Sequence, residues 1–151
     1  MPSRTVASGL VEMLQMVEDE KAQAKEFLRL TKAMVELLAT EEFEQVESLL
    51  EERAAHMKRS DELKSEVDLL YISLRSSLSD QGRAAFGVGK EEIAGIWREA
   101  RDKDRLLAEA MHNLLVDLRQ KIDDVHRSKQ GHKAYARAEN KVSPTVVDKV
   151  K

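Results

Sequence analysis

Apolar residues recur every three or four positions along three long stretches, the spacing that puts side chains on one face of an α-helix. The first stretch predicts a helix over residues 8–39, with Ser8 as its N-cap. Thr40 ends this helix and is predicted to cap the second, which continues to Leu78. The third stretch predicts a helix over residues 90–128. Long helices joined by short connections pack antiparallel to their neighbours in sequence.

Two glycine-containing segments are predicted to break the helical pattern. "SDQGRAAFGVGK", residues 79–90, contains three glycines and predicts a loop, from which Phe86 folds back over the end of the bundle. Gly131 is predicted to end the third helix. The polar segment that follows contains Ser143-Pro144, an N-cap followed by a proline at the first helical position, which predicts a short amphipathic helix.

These elements predict an all-α fold, an elongated antiparallel bundle of three long helices with a mobile C-terminal tail. Residues 1–128 would form the helical bundle. Residues 129–151 would form a flexible basic tail with a possible short amphipathic helix. One feature of the second helix leaves two alternatives open, because Arg53, His56 and Ser60 lie on its apolar side. They form either a buried, hydrogen-bonded cluster or a place where this face turns to solvent.

Composition agrees with long helices and narrows the class of protein. Hydrophobic residues make up 42% of the chain and charged residues 35%, with only two prolines. The chain has no cysteine, which excludes disulfides and thiolate metal sites and agrees with a cytoplasmic protein. No window approaches 18 apolar residues, and the N-terminus lacks a signal-type apolar core, so membrane insertion is not expected.

Charge is distributed unevenly. Residues 1–117 hold 16 Lys and Arg against 24 Asp and Glu, whereas residues 118–151 hold 9 against 4. A basic tail can serve as a nucleic-acid adaptor or simply as a solvated end. Since the tail carries one aromatic residue and no binding motif, nucleic acid is not expected as a partner.

The chain offers little catalytic chemistry. Glu109-Ala-Met-His112 has the E-x-x-H spacing of ferritin-like metal sites, but those sites need a second such element and two further glutamates. "FGVGK" lacks the full spacing of a phosphate-binding loop and the strand before it. The sequence therefore predicts no enzyme activity, no catalytic residue, no metal site and no cofactor.

A short motif at the start of the second helix carries a family resemblance. An acid and an aromatic precede V-x-x-L-L-x-E-R, which stands here as Glu42-Phe43 followed by "VESLLEER", residues 46–53. This resembles the second-helix signature of flagellar type III export chaperones, the FlgN/FliT-like group. A helix of about 30 residues before the motif, a long third helix after it and a tail with Lys133-Ala134-Tyr135 agree with that group. The length and the extended tail are closer to the FlgN branch.

The resemblance implies a cytoplasmic chaperone that binds C-terminal helical segments of flagellar hook-associated proteins. It would prevent premature assembly and deliver its client to the export gate protein. FlgN-like members serve the hook–filament junction proteins, and FliT-like members serve the filament cap. By the same resemblance, Tyr135 is a candidate contact with the gate protein, although it can equally pack on the bundle end. A client-free structural or oligomeric coiled coil remains the rival hypothesis, and the oligomeric state stays open.

The apolar stripe of the third helix supplies a candidate partner surface. A chaperone of helical segments needs an apolar face that a partner helix can cover. The methionines would suit such an adaptable surface or would be ordinary core residues. In the tail, four valines either form a cover that competes with the client or belong to a disordered end. The candidate partner-binding residues are Leu118, Ile122, Val125, Tyr135, Val142, Val146, Val147 and Val150.

Overall fold

A computed structural model describes the backbone of residues 6–150 and the side chains of residues 6–138. It shows that this part of the chain folds into three helices. Helix α1 is Val6–Ala39, α2 is Val46–Leu74 and α3 is Asp80–Val150. A single 3₁₀ turn, Phe43–Gln45, precedes α2. No strand occurs between residues 6 and 150. The predicted all-α bundle of three helices is confirmed.

The chain divides into two compact units, Met1–Ala110 and Met111–Lys151. The first unit contains α1, α2 and α3 up to Ala110. Helices that follow one another in the sequence run antiparallel, because residues near the start of one helix contact residues near the end of the next. Gly9 faces Leu74 across α1 and α2, and Thr31 meets Arg53. Across α2 and α3, Arg53 pairs with Asp104.

Three apolar clusters form the core of the first unit along its length. One end is built around Met13, Val17, Val67, Leu78 and Ile93. The centre holds Phe27, Leu28 and Ala100, with Trp97 packed against them. The other end holds Met34, Val46 and Leu107. The predicted helical stripes thus supply the core, since each cluster draws residues from more than one helix.

The predicted loop over residues 79–90 is wrong, because α3 begins at Asp80 and passes through all three glycines. Ser79 caps it, accepting a hydrogen bond at Oγ from the Gly82 backbone N–H at 3.1 Å. Phe86 therefore lies on a helix, where its ring stacks on Tyr71 with centroids 4.3 Å apart. The local cost of glycine in a helix is offset by packing that only glycine allows.

Gly89 shows how that packing works. A Cβ atom at this position would lie 2.6 Å from Val17 Cγ1 of α1, closer than side chains can approach. Seven residues earlier, a Cβ on Gly82 would lie 3.4 Å from Leu10 Cδ2. The missing side chain at Gly89 therefore lets α1 approach closely, whereas a Cβ at Gly82 would make an ordinary contact. Two of the three glycines that suggested a loop in the sequence, Gly82 and Gly89, lie at helix–helix contacts in the fold.

Helix boundaries at the two ends of the chain also differ from prediction. The backbone of α1 is already helical at Val6, so Ser8 lies inside the helix and is not its N-cap. The backbone of α3 is helical through Val150, so Gly131 does not end it, and a Cβ there would meet nothing within 4 Å. The predicted flexibility of residues 129–151 stays a prediction.

The end of α1 holds a strained residue. Glu41 has φ of 60°, and the Glu42 N–H donates to Leu37 O at 2.9 Å while the Glu41 N–H donates to Leu38 O at 3.4 Å. This is the Schellman arrangement, whose left-handed position favours glycine. Thr40 Oγ1 donates to Glu36 O at 3.1 Å, so Thr40 closes α1 instead of capping α2 as predicted.

Replacing Glu41 with glycine is expected to raise the free energy of unfolding by about 0.5–1 kcal/mol, because a side chain in the left-handed region costs roughly 1–2 kcal/mol. Urea denaturation followed by circular dichroism measures it. Glu42→Gly is the matched control, since Glu42 has φ of −91° and glycine there only adds freedom to the unfolded chain. Equal effects of the two substitutions would contradict the strain at Glu41.

Candidate functional site

An apolar stripe runs along α3 in the second unit. Its residues are spaced three, four or seven apart and share one helix face. Five of these residues are between 38% and 55% exposed, and the sixth, Leu114, is half-buried. The exposed members are Met111, Leu115, Leu118, Ile122 and Val125. Leu118, Ile122 and Val125, selected from the sequence, thus lie on one accessible surface, named here the α3 stripe together with Met111, Leu114 and Leu115.

Val116 lies on the opposite face of the same helix. It is 49% exposed, close to the 53% of Val125. The helical repeat of about 100° per residue puts it roughly half a turn from Val125. One helix thus carries two valines of similar exposure, one on the α3 stripe and one off it.

The remaining predicted partner residues divide into two groups. Tyr135 lies on α3 with 71% of its side chain exposed. The four valines of the tail, at 142, 146, 147 and 150, belong to the helical backbone of α3, but their side chains lie outside the described residues. Their role as a cover for the α3 stripe stays a prediction.

The polar residues on the apolar side of α2 form contacts inside the first unit. Arg53 Nη1 donates to Asp104 Oδ1 at 2.7 Å, and its guanidinium lies 5.0 Å from the Phe27 ring centre. His56 Nδ1 donates to Gln23 Oε1 at 2.6 Å. Both side chains are half-buried. Of the two sequence alternatives, the packed, hydrogen-bonded cluster describes Arg53 and His56.

Methionines are divided between core and surface. Met13 and Met34 are fully buried, as ordinary core residues would be. Met57 and Met111 are more than a third exposed. Of these four methionines, Met57 and Met111 therefore offer a flexible thioether for partner contacts.

Two adjoining hollows, which the sequence did not predict, open between α2 and α3. The first has a volume of about 330 Å³ and the second about 320 Å³. Met57 and Trp97 line both, so the hollows are neighbours. The first is also lined by Glu20, Ser60, Lys90 and Ile93. The only sequence signal was Ser60, a small polar residue where the helical pattern calls for a large apolar one.

Charged side chains beside these hollows are joined by ion pairs. Lys90 of α3 contacts Glu20 of α1 at 3.2 Å and Asp68 of α2 at 3.4 Å, which ties the three helices together. Lys21 donates a hydrogen bond to Glu92, and this bond raises the pKa of Lys21 above its usual value.

A second pair lies along α1 alone. Arg29 Nη2 donates to Glu26 Oε2 at 2.8 Å, and this bond lowers the pKa of the Glu26 carboxyl. Because both side chains are well exposed, solvent and salt screen the pair and its contribution to stability is small.

Metal-binding residues do not converge in the part of the chain that the structure describes. No three His, Asp or Glu side chains there are placed to hold a metal ion. His112 of the E-x-x-H motif is exposed on α3. Within residues 6–150, no helix is both apolar and long enough to cross a membrane.

Comparisons of the chain with protein-family models, with curated proteins and with solved structures give no match. The fold and the surface by themselves define a class, a helical bundle whose third helix presents an accessible apolar face. Such a face is typical of proteins that bind another helix.

Proposed function

We propose that the chain is an export chaperone that binds an amphipathic helix of a client along the α3 stripe. The observation that supports this most directly is the exposure of Leu118, Ile122 and Val125 on one helix face. Exposed apolar residues that are contiguous mark interaction surfaces more often than scattered ones do. A client helix would bury the stripe by side-to-side packing, with apolar residues of both helices interlocking.

The V-x-x-L-L-x-E-R motif supports a more specific proposal. Its resemblance to FlgN/FliT-like chaperones makes the C-terminal helical segment of a hook–filament junction protein the proposed client. The chaperone would act in the cytoplasm, keep the segment from assembling early and deliver it to the export gate. Tyr135, exposed on α3, is the proposed contact with the gate protein.

Val125→Asp is expected to weaken binding of a client C-terminal peptide by at least tenfold. Burial of a valine contributes about 1.5–3 kcal/mol, and each 1.4 kcal/mol is a factor of ten in affinity. An aspartate at the contact adds the cost of removing its charge from water. Isothermal titration calorimetry with the purified chain measures the loss.

Val116→Asp is the matched control, because it makes the same change on the opposite face at similar exposure. Its affinity should stay within about twofold of the parent chain. Equal losses in the two variants, or no loss in Val125→Asp, would remove the α3 stripe from the client site. Both variants must first show unchanged helicity by circular dichroism.

The rival hypothesis, a client-free coiled coil, makes a different prediction for the same variants. If the α3 stripe joins two copies of the chain, Val125→Asp should convert a dimer to a monomer, whereas Val116→Asp should not. Sedimentation equilibrium of the parent chain without client separates the two hypotheses. A stable dimer that survives saturation with the client peptide would oppose the chaperone proposal.

A further inference from the structure

The first hollow of the bundle contains two hydrogen-bond acceptors that the described residues leave unused. Glu20 is 3% exposed. Of its two carboxylate oxygens, only Oε2 accepts a hydrogen bond from a described residue, and the donor is Lys90 Nζ. Ser60 is also 3% exposed, and its hydroxyl makes no hydrogen bond with any described residue. No fully buried side-chain oxygen in the described part lacks a partner. Glu20 Oε1 and Ser60 Oγ therefore both keep some accessible surface, and both residues line the hollow.

The four charged residues that line the hollow balance one another, and a carboxylate just outside the lining, that of Asp68, adds a negative charge that favours a cation. Lys90 lines the hollow and bridges Glu20, which also lines it, and the half-exposed Asp68 outside the lining, so these three side chains carry a net charge of −1. Asp61 and Lys64 also line the hollow and offset each other. Low-dielectric walls strengthen the attraction of a buried negative charge for a cation.

The walls of the hollow suit an apolar stem. Met57, Ile93 and Trp97 line it, and the flexible thioether of Met57 adapts to aliphatic chains at little cost. An indole face also attracts ammonium groups. A volume of about 330 Å³ lies at the lower end of ligand pockets, which limits the occupant to a small group.

We propose that this hollow binds a primary ammonium group on a short aliphatic stem. The ammonium would donate hydrogen bonds to Glu20 Oε1 and Ser60 Oγ, and the stem would lie against Met57 and Trp97. A lysine side chain of a partner and a free alkylamine share this chemistry. The site lies in the first unit and does not depend on the α3 stripe or on the proposed chaperone function.

Trp97 makes the site directly measurable, because it is the only tryptophan in the chain. The full chain is titrated with hexylammonium chloride while tryptophan fluorescence is recorded, with hexanol as the uncharged counterpart of the same length. Tryptophan fluorescence is expected to change saturably with hexylammonium at about tenfold lower concentration than with hexanol. One charge-assisted hydrogen bond accounts for a difference in affinity of this size. Equal response to the two compounds, or no saturable response, would overturn the proposal.

Four variants separate the site from a general charge effect. Glu20→Gln and Ser60→Ala each remove one feature of the hollow. Glu20→Gln should abolish the preference for hexylammonium, and Ser60→Ala should reduce it about fivefold. Glu18→Gln and Ser65→Ala are the matched controls on the same helices, exposed to solvent, and should keep it. Thermal unfolding checks that each variant is folded. If Glu20→Gln does not fold, the comparison of Ser60→Ala with its control tests the site. Retention of the preference in Ser60→Ala and Glu20→Gln would refute the site.

A final comparison distinguishes the two sources of the ammonium. A capped five-residue peptide with one central lysine is compared with the same peptide in which that lysine is acetylated. Binding of the lysine peptide below the concentration needed for hexylammonium assigns the hollow to a partner's side chain. Tighter binding of hexylammonium assigns it to free amines. Indifference to lysine acetylation would contradict ammonium recognition in the peptide.

Discussion

Gly89→Ala is expected to lower the free energy of unfolding by about 1–3 kcal/mol, the usual cost of overpacking a core. The new methyl group would lie 2.6 Å from Val17 Cγ1. Val17 is buried, and its branched side chain has little rotamer freedom in a helix, so it cannot turn away. Urea denaturation monitored by circular dichroism measures the change.

The opposite sign is expected two residues away. A Cβ at Gly87 would meet nothing within 4 Å, so Gly87→Ala should raise the free energy of unfolding by about 0.5–1 kcal/mol through helix propensity alone. The double variant Gly89→Ala/Val17→Ala should lose less free energy of unfolding than the sum of the two single variants, because Val17→Ala makes room for the new methyl group at residue 89. Stabilisation by Gly89→Ala would show that α1 and α3 do not approach this closely.

Met34→Ala is expected to lower the free energy of unfolding by about 2–5 kcal/mol, the range for truncating a fully buried methionine. Met34 is 0% exposed and packs with Val46 and Leu107, so its removal leaves a cavity that contacts all three helices. Thermal unfolding should show a markedly lower midpoint, since a loss of this size is a large part of a small domain's stability.

Met57→Ala makes the same change at an exposed position and is the control. Met57 is 37% exposed, so its substitution should change stability by no more than about 0.5 kcal/mol. It should nevertheless weaken hexylammonium binding, because Met57 lines both hollows. Equal destabilisation by the two substitutions would contradict the division of methionines between core and surface.

Helical periodicity was sufficient to predict most of this fold. Val17, Leu63 and Leu107 are apolar residues that recur at helical spacing within the three predicted helices, and all three are buried. Spacing works here because a helix is a local structure and its buried face repeats with its own period. The exposure of Val125 has a different origin, because it depends on which neighbours the folded chain provides.

The errors occurred where tertiary contact overrides local preference. Glycine weakens a helix on its own, so residues 79–90 suggested a loop, but Gly89 is placed where α1 leaves no room for a side chain. The partner atom belongs to Val17, more than seventy residues earlier in the chain. No local rule can supply that contact.

The two hollows were inaccessible to prediction for the same reason. Glu20, Ser60 and Lys90 come from three helices and meet only once the helices are aligned. Ser60 was visible in the sequence as a polar residue on an apolar face, but the sequence left open whether it is paired. Alignment of the helices decides which polar groups find partners and which face a hollow.

The glycine contacts between α1 and α3 constrain how the lengths of these helices can change in evolution. Leu10 meets Gly82 and Val17 meets Gly89, an interval of seven residues on both helices. A single inserted residue between the contacts on one helix would rotate the second contact by about 100° and place a larger side chain there. Compensation would require an insertion of equal length in the other helix. Related chains are therefore expected to gain or lose residues in α1 and α3 together, in matched steps, or not at all.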